Sequence, residues 1–183
     1  MAICALHKDM LRTNSCGYSL PEVTDIYVAN YEDVTSTAIS AGTGTTDAGC
    51  ETVTGITMNA EAKFYHIEPT RNSISFSDAL TVDDTNGNKY RTQSVTFSVS
   101  GVYDACQHAN LDALSLGRYI VVVKTAEGSY LMLGRLNPLE ASAAELAGGA
   151  DSNGMTITLD ANVTESAIPL AEGAISTVLG EGE

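Results

Sequence analysis

Three stretches of this chain hold residue types that do chemistry. Asp104-Ala105-Cys106-Gln107-His108 sets an acid, a thiol and an imidazole within about one helical turn. A nucleophilic pair needs the Cys106 sulfur to meet the His108 ring, but residues two apart on a helix point to different faces. The run therefore reads as a buried thiol and a surface histidine. Asp83-Asp84-Thr85-Asn86-Gly87-Asn88 invites calcium. An EF-hand loop requires Gly at its sixth position and Glu at its twelfth. Counted from Asp84 those places hold Lys89 and Val95; counted from Asp83 they hold Asn88 and Ser94. A hairpin tip is the better account. Gly42-Thr43-Gly44 has no Lys after it and is no phosphate loop. Asp151-Ser152-Asn153-Gly154 reads as a turn. His7, His66 and His108 have no metal spacing, and Cys4, Cys16, Cys50 and Cys106 make no CxxC pair. The cysteines read as reduced thiols of a cytosolically made protein, with a Cys4–Cys16 bridge as the alternative. The expectation is a protein with no catalytic constellation, no metal and no cofactor.

The charge balance narrows the class further. Nine Lys plus Arg stand against 23 Asp plus Glu, a net of −14 over 183 residues. A duplex-DNA reader needs bases to displace counterions from phosphates, so this surface argues against one. It does not argue against a surface past which DNA slides. Three Phe, eight Tyr and no Trp leave few platforms for stacking single strands. The charge is uneven: residues 1–70 carry −6, residues 71–135 are neutral, and residues 136–183 carry −8 with no base. The apolar start, Met1 to Leu6, ends at His7, Lys8 and Asp9, too short for a secretory core. No run approaches the roughly 18 apolar residues of a membrane span, so no membrane is expected as a partner.

The elements that would position any site are mostly strands. Residues 1–22 lack a period and read as an arm. Residues 23–30 and 52–58 read as strands, and residues 35–52, rich in Thr, Gly, Ala and Ser, read as a loop insertion. Ile74, Phe76, Leu80 and Val82 alternate with Ser and Thr, and so do Val95, Phe97 and Val99. The two runs flank Asn86-Gly87, which predicts a long β-hairpin. Residues 104–116 read as the one helix, capped by Asp104, striped with Ala105, Ala109, Leu111, Leu114 and Leu116, and stopped by Gly117. Residues 118–125 are apolar on both faces, which reads as a central strand or a strand covered by the helix. A turn at Glu127-Gly128 leads to a strand ended by Pro138. Residues 139–150 read as a loop. Residues 155–163 alternate again, with Thr156, Thr158, Asp160 and Asn162 on the polar side. Residues 170–183 read as a frayed acidic tail or as a strand for a neighbouring copy. The predicted class is mainly β: an antiparallel β-sandwich or barrel of about eight strands at residues 23–169, with one flanking α-helix and a long projecting hairpin.

This arrangement resembles the tail tube and tail-ring proteins of tailed bacteriophages and the related tube proteins of contractile injection systems. The similarity rests on the hairpin around residues 83–88, then Leu116-Gly117-Arg118-Tyr119-Ile120-Val121-Val122-Val123, then Gly128-Ser129-Tyr130-Leu131-Met132-Leu133-Gly134. A Gly-rich stretch and Asp151-Ser152-Asn153-Gly154 follow, leading into Met155-Thr156-Ile157-Thr158-Leu159. The resemblance covers about half the chain. It implies a hexameric ring stacked into a tube, with tape-measure, terminator and baseplate proteins as partners, DNA in transit, and a place in the virion tail. Under it, Thr96, Ser98, Thr156, Thr158 and Asp160 face the lumen. Asp83, Asp84, Thr85, Asn86, Gly87 and Asn88 form an inter-subunit hairpin, and the arms order on assembly. Hydroxyls and carboxylates suit a bore that must not hold DNA. The alternatives are a terminator or adaptor ring, and an immunoglobulin-like or carbohydrate-binding surface module. The last predicts a groove with clustered aromatics, whereas the eight tyrosines are scattered along the sequence.

Overall fold

A computed structural model describes residues 22–41, 50–83, 85–101, 105–148 and 153–180. The arm at 1–21, the cap residue Asp104 and the tip residue Asp84 lie outside the described residues, as do Cys4 and Cys16. In chain order the strands and helices are β1 (Val23–Asn30), β2 (Val34–Ala41), β3 (Glu51–Met58), β4 (Tyr65–Ile67), β5 (Ser75–Asp83), β6 (Asn88–Val99), α1 (Ala105–Leu116), β7 (Arg118–Thr125), β8 (Tyr130–Leu133), β9 (Leu139–Gly148), β10 (Asn153–Val163), β11 (Ile168–Pro169) and α2 (Glu172–Leu179). The fold is mainly β, with antiparallel pairing in a sandwich-like arrangement. Among the described residues it has eleven strands and two helices, against the eight and one expected.

Strand β7 organises the rest. It pairs along its length with β1, from Val23–Thr125 to Asn30–Tyr119. Its other side is shared: Val121–Lys124 pair with β8, while Arg118 and Tyr119 pair with β9. From β9 the sheet continues through β10 and β6 to β5, and at the far end β11 pairs with β8. Both β1 and β7 are apolar on both faces because both faces are covered. One face sends Ile26, Val28, Val121 and Val123 into a core shared with Val95, Phe97, Ile157 and Leu159 of β6 and β10, and Leu111 of α1. The other sends Tyr27, Ala29, Ile120 and Val122 against Val53 and Ile56 of β3, Phe64, and Ala174 and Val178 of α2. Each fully buried aliphatic side chain is worth about 1.5–3 kcal/mol of transfer free energy. The doubly covered strands therefore carry much of the fold.

Several expected loops are structured. Residues 35–41 form β2, whose β-branched threonines suit a strand; β2 pairs with β3 and the two make a separate sheet. The rest of that expected insertion, residues 42–49, lies outside the described residues. Residues 139–148 form β9 rather than a loop. Its inward residues run Leu139, Ala141, then Ala144 and Leu146, switching from odd to even where a bulge leaves Ser142 unpaired between Ala141–Leu159 and Ala143–Thr158. That switch hides the two-residue period. Over its described residues, 170–180, the tail is neither frayed nor a strand for a neighbour. Leu170 bridges Val53 in parallel, and Glu172–Leu179 is a helix that packs on β3 and ends at left-handed Gly180 (φ 71°). Gly173 weakens it as an isolated helix, but a Cβ there would lie 3.1 Å from the Thr54 carbonyl oxygen, a tight contact that favours glycine. In α1 the expected apolar stripe is not buried as a unit. Leu111 is buried and Leu114 half-buried, while Ala105, Ala109 and Leu116 are exposed.

The β5–β6 hairpin forms as the sequence predicts, in register from Ser75–Thr96 to Asp83–Asn88. Its core face becomes polar part-way along. Asp78 accepts from Arg91 Nε at 2.7 Å and from the Ala167 N–H at 2.8 Å. Gln93, 1 % exposed, accepts from the Gly134 N–H at 2.9 Å and donates to the Glu165 carbonyl at 3.3 Å. Arg135 closes the group on the Glu165 carboxylate. This clasp ties the hairpin to the loops after β8 and β10. Replacing Gln93 by Leu leaves the Gly134 N–H and the Glu165 carbonyl unpaired. Urea unfolding of Gln93→Leu should show a loss of about 1–3 kcal/mol.

Candidate functional site

The residues expected at a lumen share one face. Strands β5, β6, β10 and β9 lie side by side, and partners across an antiparallel ladder point to the same side. Thr156 faces Ser98, Thr158 faces Thr96, Asp160 faces Ser94, and Asn162 faces Thr92. The side chains bond across the strands. Thr96 and Thr158 hydroxyls meet at 3.0 Å, Ser98 and Thr156 at 2.8 Å, and Thr92 donates to Asn162 Oδ1 at 2.9 Å. Ser75 and Ser77 extend the face across β5, and Glu145, Ala143 and Glu140 extend it across β9. Thr156 is exposed; Thr96, Ser98, Thr158 and Asp160 are half-buried. Asp160 stands opposite Glu140, two acids with no base between their strands.

Among the described residues no base of these four strands lies on the outer face; Arg118 of β7, opposite Glu140, stands at its margin and is paired with Glu32. The two bases of these four strands, Lys89 and Arg91, stand opposite Val82 and Leu80 on the inner side. Arg91 is engaged there by Asp78. The face is therefore a wet array of hydroxyls, amides and carboxylates.

Both lateral edges of this wall lack a strand partner among the described residues, although α1 packs against β9. Strand β5 pairs with β6 alone, leaving one side of nine residues unpaired. Strand β9 meets β7 only through Leu139 and Glu140, so its outer side from Ala141 to Gly148 is unpaired too. Such edges are templates for another strand. Past the clasp, the inner face of the hairpin leaves Leu80 60 % and Val82 46 % exposed. The tip closes on itself. Asp83 accepts from the Thr85 N–H at 3.0 Å, the Asn86 N–H at 3.3 Å and the Asn86 side-chain amide at 2.7 Å, and Gly87 takes a φ of 68°. The Asn86 side-chain bond leads these in holding the Asp83 carboxyl below the usual carboxylate range. Both Asp83 carboxylate oxygens are thus engaged by the turn. Asn88 begins β6 and pairs with Asp83.

Other candidates disperse. Cys106 is exposed on α1, not buried as expected, and His108 is exposed on the same helix. Among the described residues no three His, Cys, Asp or Glu side chains converge as metal ligands. No described helix is long and apolar enough to cross a membrane.

Two features have no signature in the sequence. Asp25 of β1 accepts from His66 Nε2 of β4 at 3.0 Å and from the Thr24 hydroxyl at 2.9 Å, with Lys124 Nζ of β7 at 3.5 Å. The His66 ring stacks on Tyr27 at 4.9 Å, and Lys124 lies over Tyr130 at 5.7 Å. These contacts anchor β4, a three-residue strand that pairs only with β1. The second is a cleft of about 330 Å³ between α1 and the β1–β4 edge. Both bring together elements more than 30 residues apart in sequence, which no local pattern encodes. No family model, curated protein or solved structure matches this chain.

The Asp25 contacts set a pH dependence. Burial raises the Asp25 carboxyl, but the His66 and Thr24 hydrogen bonds and the Lys124 charge outweigh it, and the net shift is downward. A lowered carboxylate stabilises the fold above its unfolded value of about 3.9, and that stability is lost as pH falls through the folded value. Asp25→Asn should therefore be less stable than the parent at pH 7. The difference should begin to shrink as pH falls past about 3.9 and vanish only below the folded value, measured by thermal unfolding across pH.

Proposed function

We propose that this chain is a structural subunit that joins side by side with its own copies into a ring, with β9, β10, β6 and β5 as the wall of a bore that DNA traverses. One observation carries this reading: a wet face without bases, on a wall whose two lateral edges are both unpaired. Duplex DNA carries one charge per about 1.7 Å of axis, and each Lys or Arg that meets a phosphate gains from counterion release. A bore lined by Thr96, Ser98, Thr156, Thr158 and Asp160 offers no such gain. Its carboxylates repel phosphate, and its hydroxyls, bonded to one another across strands, stay wetted without forming ion pairs.

The edges support closure. The β5 edge of one copy can pair with the β9 edge of the next, a head-to-tail contact that forms a ring when the rotation closes. Exposed Leu80 and Val82 on the hairpin give the same neighbour an apolar surface to cover. The resemblance to tail tube proteins supplies the finer reading: a hexamer, stacked in the virion tail, with tape-measure, terminator and baseplate proteins as partners. A single adaptor ring uses the same wall and the same edges.

Negative-stain microscopy of the purified full chain tests this. Rings or tubes of uniform bore are expected. Deleting residues 83–88 should abolish assembly while circular dichroism remains that of a folded β protein. Dispersed monomers at every concentration, or unimpaired assembly of the deletion variant, would contradict the reading.

A further inference from the structure

The cleft between α1 and the β1–β4 edge lies on the inner side of the sheet, opposite the polar face, and has its own chemistry. Its floor is apolar: Val28 is buried, and Ile67 and Leu114 are half-buried. Polar groups stand at its sides. Asn30 comes from the end of β1 and Asn110 from the middle of α1. The Asn30 amide nitrogen donates to Asp33, which leaves its oxygen to accept, while Asn110 is exposed and its amide is held by no described residue. Tyr65 sits across β1 from Val28, on the cleft side of β4, with its side chain 55 % exposed. Lys63 Nζ lies 5.6 Å from its ring centroid. The His66 ring belongs to the opposite face, stacked on Tyr27. Among the described residues no carboxylate or guanidinium lines this cleft. A second cleft, also of about 330 Å³, adjoins it through Asn30 and runs past Tyr31 and Glu32 to Arg118.

We infer that the α1–β4 cleft binds a neutral saccharide. A pocket of this size with an apolar floor and a few convergent polar groups suits a small ligand. Side-chain amides both donate and accept, which matches the paired donor and acceptor character of sugar hydroxyls. An exposed tyrosine ring offers a flat apolar surface to the C–H face of a pyranose, with a hydroxyl at its edge. The described lining holds no ammonium, guanidinium or carboxylate, with Lys63 beside it over the Tyr65 ring, and the net charge of −14 disfavours anions in particular. The adjoining cleft, with the paired Glu32 and Arg118 on its wall, gives a second sugar ring polar contacts. The inference does not depend on the ring assembly, because no wall or edge residue takes part.

Saturation-transfer difference NMR reads the ligand and works at any assembly size. The full chain should be titrated with glucose, N-acetylglucosamine, maltose and lactose. At least one should show saturable transfer to its ring protons. Asn110→Ala and Tyr65→Ala should each weaken binding at least ten-fold while keeping the parental circular dichroism. Leu80→Ser, on the distant hairpin, should bind as the parent does. Absence of saturable transfer from all four sugars overturns the inference. So does transfer that survives undiminished in both the Asn110 and Tyr65 variants.

Discussion

The fold depends on two neighbouring strands, β1 and β7, that are apolar on both faces. A strand of that kind is stable only when both faces are removed from water, so the chain must supply a layer on each side. The β6–β10 half of the sheet, with α1, supplies one. The β2–β3 pair and α2 supply the other. Once β1 and β7 are covered, β6 and β10 have a single dry face. Their second face turns to solvent, and its composition is free to answer a need other than folding. The surface at which function is sought is thus the one surface that the core does not dictate.

That free face is chosen narrowly. Four strands could carry the usual mixture of Lys, Glu and Thr that keeps a sheet soluble. Instead the outer positions of β5, β6, β10 and β9 hold hydroxyls, small residues, amides and acids, and the two bases of these strands face inward. Directly opposed acids such as Asp160 and Glu140 weaken a sheet by a few tenths of a kcal/mol or more. A face that accepts this cost, and whose own four strands place no described base on it, offers phosphate little counter-charge. The clasp of Asp78, Arg91, Gln93, Arg135 and Glu165 complements it by ending the dry core part-way along the hairpin. The tip can then project without exposing an unanchored sheet.

Much of this was legible in the sequence where a period runs uninterrupted. The β5–β6 hairpin and β10 keep a strict two-residue alternation, so their existence, their register and the membership of the polar face follow from the residues. The double-sided apolarity of residues 118–125 likewise located the centre of the sheet. Elements were hidden where the signal is broken or weak. The bulge at Ser142 shifts the phase of β9, Thr and Ser give β2 the composition of a loop, and Gly173 masks α2. The Asp25–His66 anchor and the α1–β4 cleft were out of reach for a different reason. Tyr27, His66 and Lys124, or Val28, Tyr65 and Asn110, meet only because of sheet topology.

The central claim is that the polar face of β9, β10, β6 and β5 lines a closed bore, and a three-dimensional cryo-electron microscopy reconstruction of the assembled protein tests it most directly. The account predicts a ring with Thr96, Ser98, Thr156, Thr158 and Asp160 on its inner surface and β5 of each copy paired to β9 of the next. A ring with those residues on its outside, or an inner surface formed by the side chains of Lys63, Arg71 and Lys124, would contradict it.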